Sequence, residues 1–152
     1  MDNERMIRFT MGGMAFEYDE QKNRINLQKH GISFKSAARV FFDYDRIEFF
    51  DDEHSNDENR YDTIGDTSAG MVGHEIGNTL IGQINEILFV VYTERIHTDA
   101  NGKETDVTRL ISARLATSFE RGLYYGKERI SFYEGRARRV GTRQENAHHL
   151  RR

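Results

Sequence analysis

Apolar positions recur along this chain in two rhythms, and their alternation sets the expected order of elements. Phe16 and Tyr18 flank Glu17 with a period of two, which predicts a short strand over 15–18. Asp19 then suits a helix N-cap and Glu20 a first turn, so a helix is expected to His30, ended by Gly31. Ile25 and Leu27 are its only apolar residues. Phe34, Ala37, Ala38, Phe41 and Phe42 fall at spacings of three and four behind Ser33, which predicts a second helix over 33–42, buried on one side. Strands are expected at 46–50 and 60–65, separated by the acidic loop 51–59. The most apolar strand is expected at 84–95, followed by a polar connection over 96–106 with an Asn101-Gly102 turn signal, and then a strand at 107–116. Thr117 or Ser118 caps a last helix that carries Phe119, Leu123 and Tyr124. The sum is an α+β fold: a short N-terminal strand, two helices, a four-stranded mainly antiparallel sheet and a C-terminal helix.

Three segments break these rhythms. Residues 1–14, with methionine at 1, 6, 11 and 14 and the pair Gly12-Gly13, are expected to form a leader outside the core. Residues 66–82 form a glycine-rich insertion in a domain spanning 15–126, and they lack the Gly-Lys-Ser/Thr ending of a phosphate-binding loop. Residues 127–152 form a basic C-terminal extension: eight Lys or Arg less three acids gives +5, and with a whole-chain charge of −3 the remainder carries −8. A basic tail on an acidic body points to a polyanion or an acidic partner. The absence of cysteine excludes disulfides and thiolate metal sites. No apolar run approaches the roughly 20 residues of a membrane span, and no secretory signal is evident, so the cytoplasm is the expected location.

His54 lies among Asp51, Asp52, Glu53 and Asp57, but a loose Asp/Glu/His loop is ordinarily solvated, and no metal or other cofactor is expected. The cations are more informative. The apolar runs ending in Glu94-Arg95 and in Arg114 are each strand-like and closed by arginine, and pairing them as a hairpin is expected to bring Glu94, Arg95, Arg109 and Arg114 towards one end of a sheet. Glu58 and Arg60 follow the acidic loop. Metal-free RNA cleavage needs a base for the ribose 2′-OH, cations for the phosphorane and an acid for the leaving 5′-oxygen. Arginine meets the second need with planar donors and a permanent charge. His30, Glu58 and Glu94 are candidates for proton transfer, and the residues alone do not choose among them. Lys22, Arg24, Lys29 and His30 make the first helix basic, a surface suited to RNA or simply to water.

The quoted motifs add a resemblance. Phe16-Glu17-Tyr18, Lys29-His30-Gly31-Ile32-Ser33-Phe34, Tyr92-Thr93-Glu94-Arg95 and Ile111-Ser112-Ala113-Arg114, in this order, resemble the BrnT toxin family over about residues 16–125. The resemblance implies a RelE-like fold and a ribonuclease toxin of a type II toxin–antitoxin pair that cleaves RNA without a metal and arrests translation. It also implies neutralisation by a cognate, BrnA-like antitoxin in a hetero-oligomer, with operator DNA contacted only through the antitoxin. In its terms Arg60, Arg95 and Arg114 handle the phosphate with Glu58, Glu94 and the Lys29-His30 pair nearby; joined to the charges read above, the expected catalytic group is Glu58, Arg60, Glu94, Arg95 and Arg114, with Lys22, Lys29, His30 and Arg109 binding RNA. The chain departs from the family in Tyr18, where tryptophan is usual, in longer segments at 66–82 and 96–108, and in its basic extension. A catalytically inactive RNA- or partner-binding module with the same fold is the alternative reading.

Overall fold

The computed structural model describes residues 5–55, 57–68, 86–126 and 137–139. Seven strands form one sheet: β1 (Met6–Met11), β2 (Met14–Asp19), β3 (Ile47–Phe50), β4 (Arg60–Asp66), β5 (Ile87–Thr98), β6 (Glu104–Leu115) and β7 (Ala137–Arg139). Their order is β1-β2-β6-β5-β4-β3-β7. The β2–β6 pair is parallel and every other pair is antiparallel. Among the described residues three helices, α1 (Glu20–His30), α2 (Phe34–Ala37) and α3 (Ser118–Tyr124), join the strands, with 3₁₀ turns at Ala38–Phe42 and Asp52–His54.

Helix ends follow their capping chemistry. Asp19 accepts from Gln21 N at the start of α1, and Gly31 ends it at φ 72°, in the left-handed region that suits glycine. The body of α1 is nearly all polar, and its one buried residue is Asn26, whose amide bonds the backbone of Ile32 and Ala113. Hydrogen bonds thus hold α1 where an apolar stripe would be usual, and Ile25 and Leu27 stay about half exposed. The expected second helix is shorter than its spacing suggested. It gives way at Ala38 to a 3₁₀ turn, whose tighter winding still buries Val40 and Phe41.

Alternation along β5 sends neighbouring side chains to two cores. Leu88, Val90 and Tyr92 join Phe16, Phe34, Ala37, Val40, Phe41, Leu110 and Ala113 on one face. Ile87 and Phe89 join Ile47, Ile64, Leu123 and Tyr124 beneath α3 on the other. The Tyr124 hydroxyl donates to Asp43 Oδ2 at 2.6 Å, tying α3 to the loop after the 3₁₀ turn.

Three expectations need correction. Residues 6–11 are not outside the core: they pair with β2 from Met6↔Asp19 to Met11↔Met14, and Ile7, Phe9 and Met11 pack on the first core. The Gly12-Gly13 turn makes that hairpin, and a methionine-rich stretch reads as apolar strand once it is paired. Among the described residues the sheet has seven strands instead of four, because β1, β2 and β7 extend both sides. The polar connection expected over 96–106 is mostly strand. β5 and β6 keep their ladder to Thr98↔Glu104, and only the Asp99–Lys103 turn is irregular, with Gly102 at φ 84°. Residues 69–82 of the expected insertion, and the expected extension apart from the backbone of 137–139, lie outside the described residues. No helix among the described residues is long and apolar enough to cross a membrane.

Candidate functional site

The register of the sheet builds a row of charge across five strands. Arg8 of β1 stands opposite Glu17 of β2, Glu17 opposite Arg109 of β6, Arg109 opposite Thr93 of β5, and Thr93 opposite Arg60 of β4. Residues directly opposite share a face of the sheet, so this row spans about 19 Å at the usual strand spacing. By alternation along β5, Arg95 and His97 continue the same face towards the hairpin turn. In the other direction lie Asp62, opposite Val91, and Arg114, opposite Phe89. A bulge on β6 at Ile111, where the partners of Val91 and Tyr92 are Ser112 and Leu110, keeps Arg109 and Arg114 on one face.

Glu17 is the hub of the row. Its side chain is fully buried, and its carboxylate accepts from Arg109 Nε at 2.7 Å and Arg8 Nε at 3.2 Å, with His97 Nε2 at 2.9 Å. Burial alone raises a carboxyl pKa. Here the hydrogen bond and charge of Arg109, with the contribution of His97, outweigh it and hold Glu17 below the usual carboxylate range. His97 Nδ1 lies 3.4 Å from Arg8 Nη2. In a flat sheet the Cα atoms of His97 and Glu17 would lie roughly 16 Å apart, and the twist and curl of the hairpin close that gap.

Arg95 meets Glu58 through one nitrogen, at 2.8 and 3.0 Å from the two carboxylate oxygens. Both side chains are about one-third exposed. They line a cleft of about 720 Å³ with Asn59, Tyr61, Glu94, Asp106 and Thr108. The Arg60 guanidinium makes no ion pair among the described residues, and Glu94 is exposed beside the cleft.

The structure therefore gathers Glu58, Arg60, Glu94, Arg95 and Arg109 around the hairpin end of the sheet, and separates Arg114 from them. Arg114 closes β6, but β6 runs antiparallel to β5, so its end lies beside the start of β5, about 20 Å from Arg95 along the strands. Consecutive antiparallel strands end at opposite edges, which is why two runs that each close in arginine do not bring those arginines together. Arg114 instead stacks at 4.1 Å on the Phe89 ring and makes two bonds to Glu120, at 2.8 and 3.0 Å. Glu120 is the return arm of the α3 capping box with Thr117. Lys22, Lys29 and His30 are exposed on α1. Among the described residues no hydrogen bond or ion pair joins them to the charged row.

Sequence reasoning passed over Arg8, Glu17, His97 and Asp62 as site residues. Arg8 was assigned to the leader, His97 to a loop and Glu17 to the polar side of a strand. The apolar pattern of the two hairpin arms stops at Ile96 and begins again at Val107 while the ladder continues between them, so the residues carried little signal for His97. Asp62 is the counterpoint to Glu17. It is largely buried, one of its carboxylate oxygens has no hydrogen-bond partner, and burial together with the neighbouring Asp51 pushes its pKa up to about 7. Asp51 in turn pairs with His54 at 3.1 Å. Among the described residues no three His, Asp or Glu side chains are grouped as a metal ion would require.

Residues 18–76 match the family described as ribonuclease toxin, BrnT, of type II toxin–antitoxin system. That span holds Lys22, Lys29, His30, Glu58 and Arg60, and Arg95, Arg109 and Arg114 lie beyond it. No curated protein matches the chain.

Proposed function

We propose, from the family match over residues 18–76 and the charged row of the sheet, that this chain is the ribonuclease toxin of a type II toxin–antitoxin pair. The family implies the toxin, its RNA substrate and an antitoxin partner. Our reading goes further: cleavage proceeds through the ribose 2′-OH without a metal, translation stops, and a BrnA-like, DNA-binding antitoxin neutralises the toxin in a hetero-oligomer. The observation that carries the reading is the alignment of Arg8, Arg109 and Arg60 in one in-register row, with Arg95 beside it.

Arg60 and Arg95 are both able to reach a phosphate. Arg60 has no ion-pair partner among the described residues. The Arg95–Glu58 pair is about one-third exposed on each side, so parting it costs about 1 kcal/mol or less. The incoming phosphate offers Arg95 a replacement charge and better desolvation. Arg109 is tied to a buried carboxylate and acts from its fixed place. Glu58, once displaced, and Glu94 line the cleft, where either can relay a proton from water to the leaving 5′-oxygen. Arg114 serves chiefly to fix α3. The basic extension adds phosphate contacts whose contribution falls steeply with salt.

The test is controlled expression in a bacterial host, followed by growth and bulk RNA. Wild type arrests growth and degrades RNA, co-expressed antitoxin reverses both, and Arg95→Ala or Arg60→Ala relieves the arrest in a protein that still folds. Untouched growth and intact RNA with soluble wild type would refute the reading. One observation favours the alternative, a binding module without catalysis: Arg95, Arg109 and Arg114 are each already neutralised by a carboxylate. That alternative predicts salt-sensitive RNA binding with no cleavage products on long incubation.

A further inference from the structure

Resting on the ribonuclease reading, we propose that His97 is the general base of the cleavage, oriented by Glu17 and placed beside the phosphate-binding guanidinium of Arg8. His97 Nε2 lies 2.9 Å from the buried Glu17 carboxylate, which can only accept, so Nε2 carries the proton. Nδ1 lies 3.4 Å from Arg8 Nη2, which can only donate, so Nδ1 presents its lone pair. A carboxylate that fixes one nitrogen and leaves the other as acceptor is the arrangement a general base requires.

The surroundings fit the same role. His97 is faced by Arg8 from β1, by Glu17 from β2 and, through Glu17, by Arg109 from β6. Arg95 and Asp99 stand near it on its own strand and turn. Its side chain is about one-third exposed and opens on a cleft of about 620 Å³ that Arg8 also lines. Arg8 is 62 % exposed, so it can leave Nδ1 for a phosphate oxygen at small cost. In the step, Nδ1 takes the proton of the ribose 2′-OH and the 2′-oxygen forms a bond to phosphorus. The P–O5′ bond breaks, and its electron pair leaves on the 5′-oxygen, which takes a proton from water. The products are a 2′,3′-cyclic phosphate and a 5′-hydroxyl, and the imidazolium returns its proton to solvent.

Glutamine at 97 keeps a donor for Glu17 and removes the base. Single-turnover cleavage of a short oligoribonucleotide by the full chain is therefore expected to slow by about 10²–10⁴-fold in His97→Gln, the range of general-base catalysis. The pH dependence of the cleavage rate is expected to differ between wild type and the variant. Added imidazole should restore His97→Ala in proportion to its unprotonated fraction, a rescue that a merely structural histidine would not give. Wild-type cleavage with His97→Gln within tenfold and the same pH profile overturns the proposal and leaves the ribonuclease reading intact. No cleavage by folded wild type overturns both. Should both variants unfold, ¹⁵N chemical shifts of the wild-type ring decide: protonation at Nε2 supports the assignment, and protonation at Nδ1 overturns it.

Discussion

Glu17 and Asp62 lie on the same face of one sheet, and their carboxyls respond to burial in opposite ways. Burial is the largest influence on both, and in both it favours the neutral acid. Glu17 is nevertheless held below the usual range, since the hydrogen bond and charge of Arg109, with those of His97, outweigh burial. Asp62 is pushed up to about 7, because burial is reinforced by the neighbouring carboxylate of Asp51, and the charges of His54 and Arg114 offset them only in part. The difference teaches that partners set the charge of a buried group more than depth does. It also divides the face. The hairpin end keeps a fixed anion, Glu17, held by Arg109, Arg8 and His97. The end beneath α3 spends its arginine on a helix cap and holds its aspartate near neutrality.

Four measurements break or sharpen that division. The largest effect is expected at Arg95. Arg95→Ala should reduce RNA cleavage by about 10²–10³-fold, the loss typical of one transition-state donor. Its melting temperature should hardly move, since the exposed pair with Glu58 contributes about 1 kcal/mol or less. Next comes Glu17→Gln. The amide nitrogen sets a donor against the donors of Arg109, Arg8 or His97, and denaturant titration at neutral pH should show a loss of about 3 kcal/mol. Glu17 has a depressed folded pKa, so its stabilisation is present above its ordinary value of 4.5 and is lost as pH falls through the folded value. Wild type should lose stability in that acid window, and Glu17→Gln should lose less.

Asp62→Asn should do the reverse. A raised folded pKa means that the carboxyl contributes most below its ordinary value of 3.8, and the contribution is lost as pH rises towards about 7. The asparagine variant should therefore be more stable than wild type above pH 7, by on the order of 2 kcal/mol, with no gain below pH 3.8. A destabilised Asp62→Asn at alkaline pH would contradict the division. The smallest effect is expected for Arg114→Lys, which keeps one charge and loses the paired bonds to Glu120 and the stack on Phe89. Thermal melting should register a loss of about 1 kcal/mol.

The capping residues were legible before any coordinates. Asp19, Gly31, Ser33 and Thr117 each bound an element where their chemistry says they should. The strands of the central hairpin were legible too, through Leu88, Val90 and Tyr92. Two things were not. A strand that pairs through its backbone needs no apolar signature, so the arms through Ile96–Thr98 and Glu104–Asp106 read as loop and His97 was passed over. Lateral order is also silent in a single chain. Nothing in the residues says that β2 lies beside β6, and that one parallel pairing sets Glu17 against Arg109. The candidate site followed the same pattern. Glu58 and Arg95 were found and do meet, but Arg114 was grouped with Arg95 by the likeness of two strand ends, and strand direction separates them.

The central claim is that the hairpin end of this face cleaves RNA and the α3 end does not. It is tested most directly by comparing single-turnover cleavage of one oligoribonucleotide by wild type, Arg95→Ala and Arg114→Ala, each shown to be folded at the assay temperature. A loss of about 10²–10³-fold is expected for Arg95→Ala and of less than about tenfold for Arg114→Ala. Equal losses at the two positions, or a larger loss at Arg114, would contradict it.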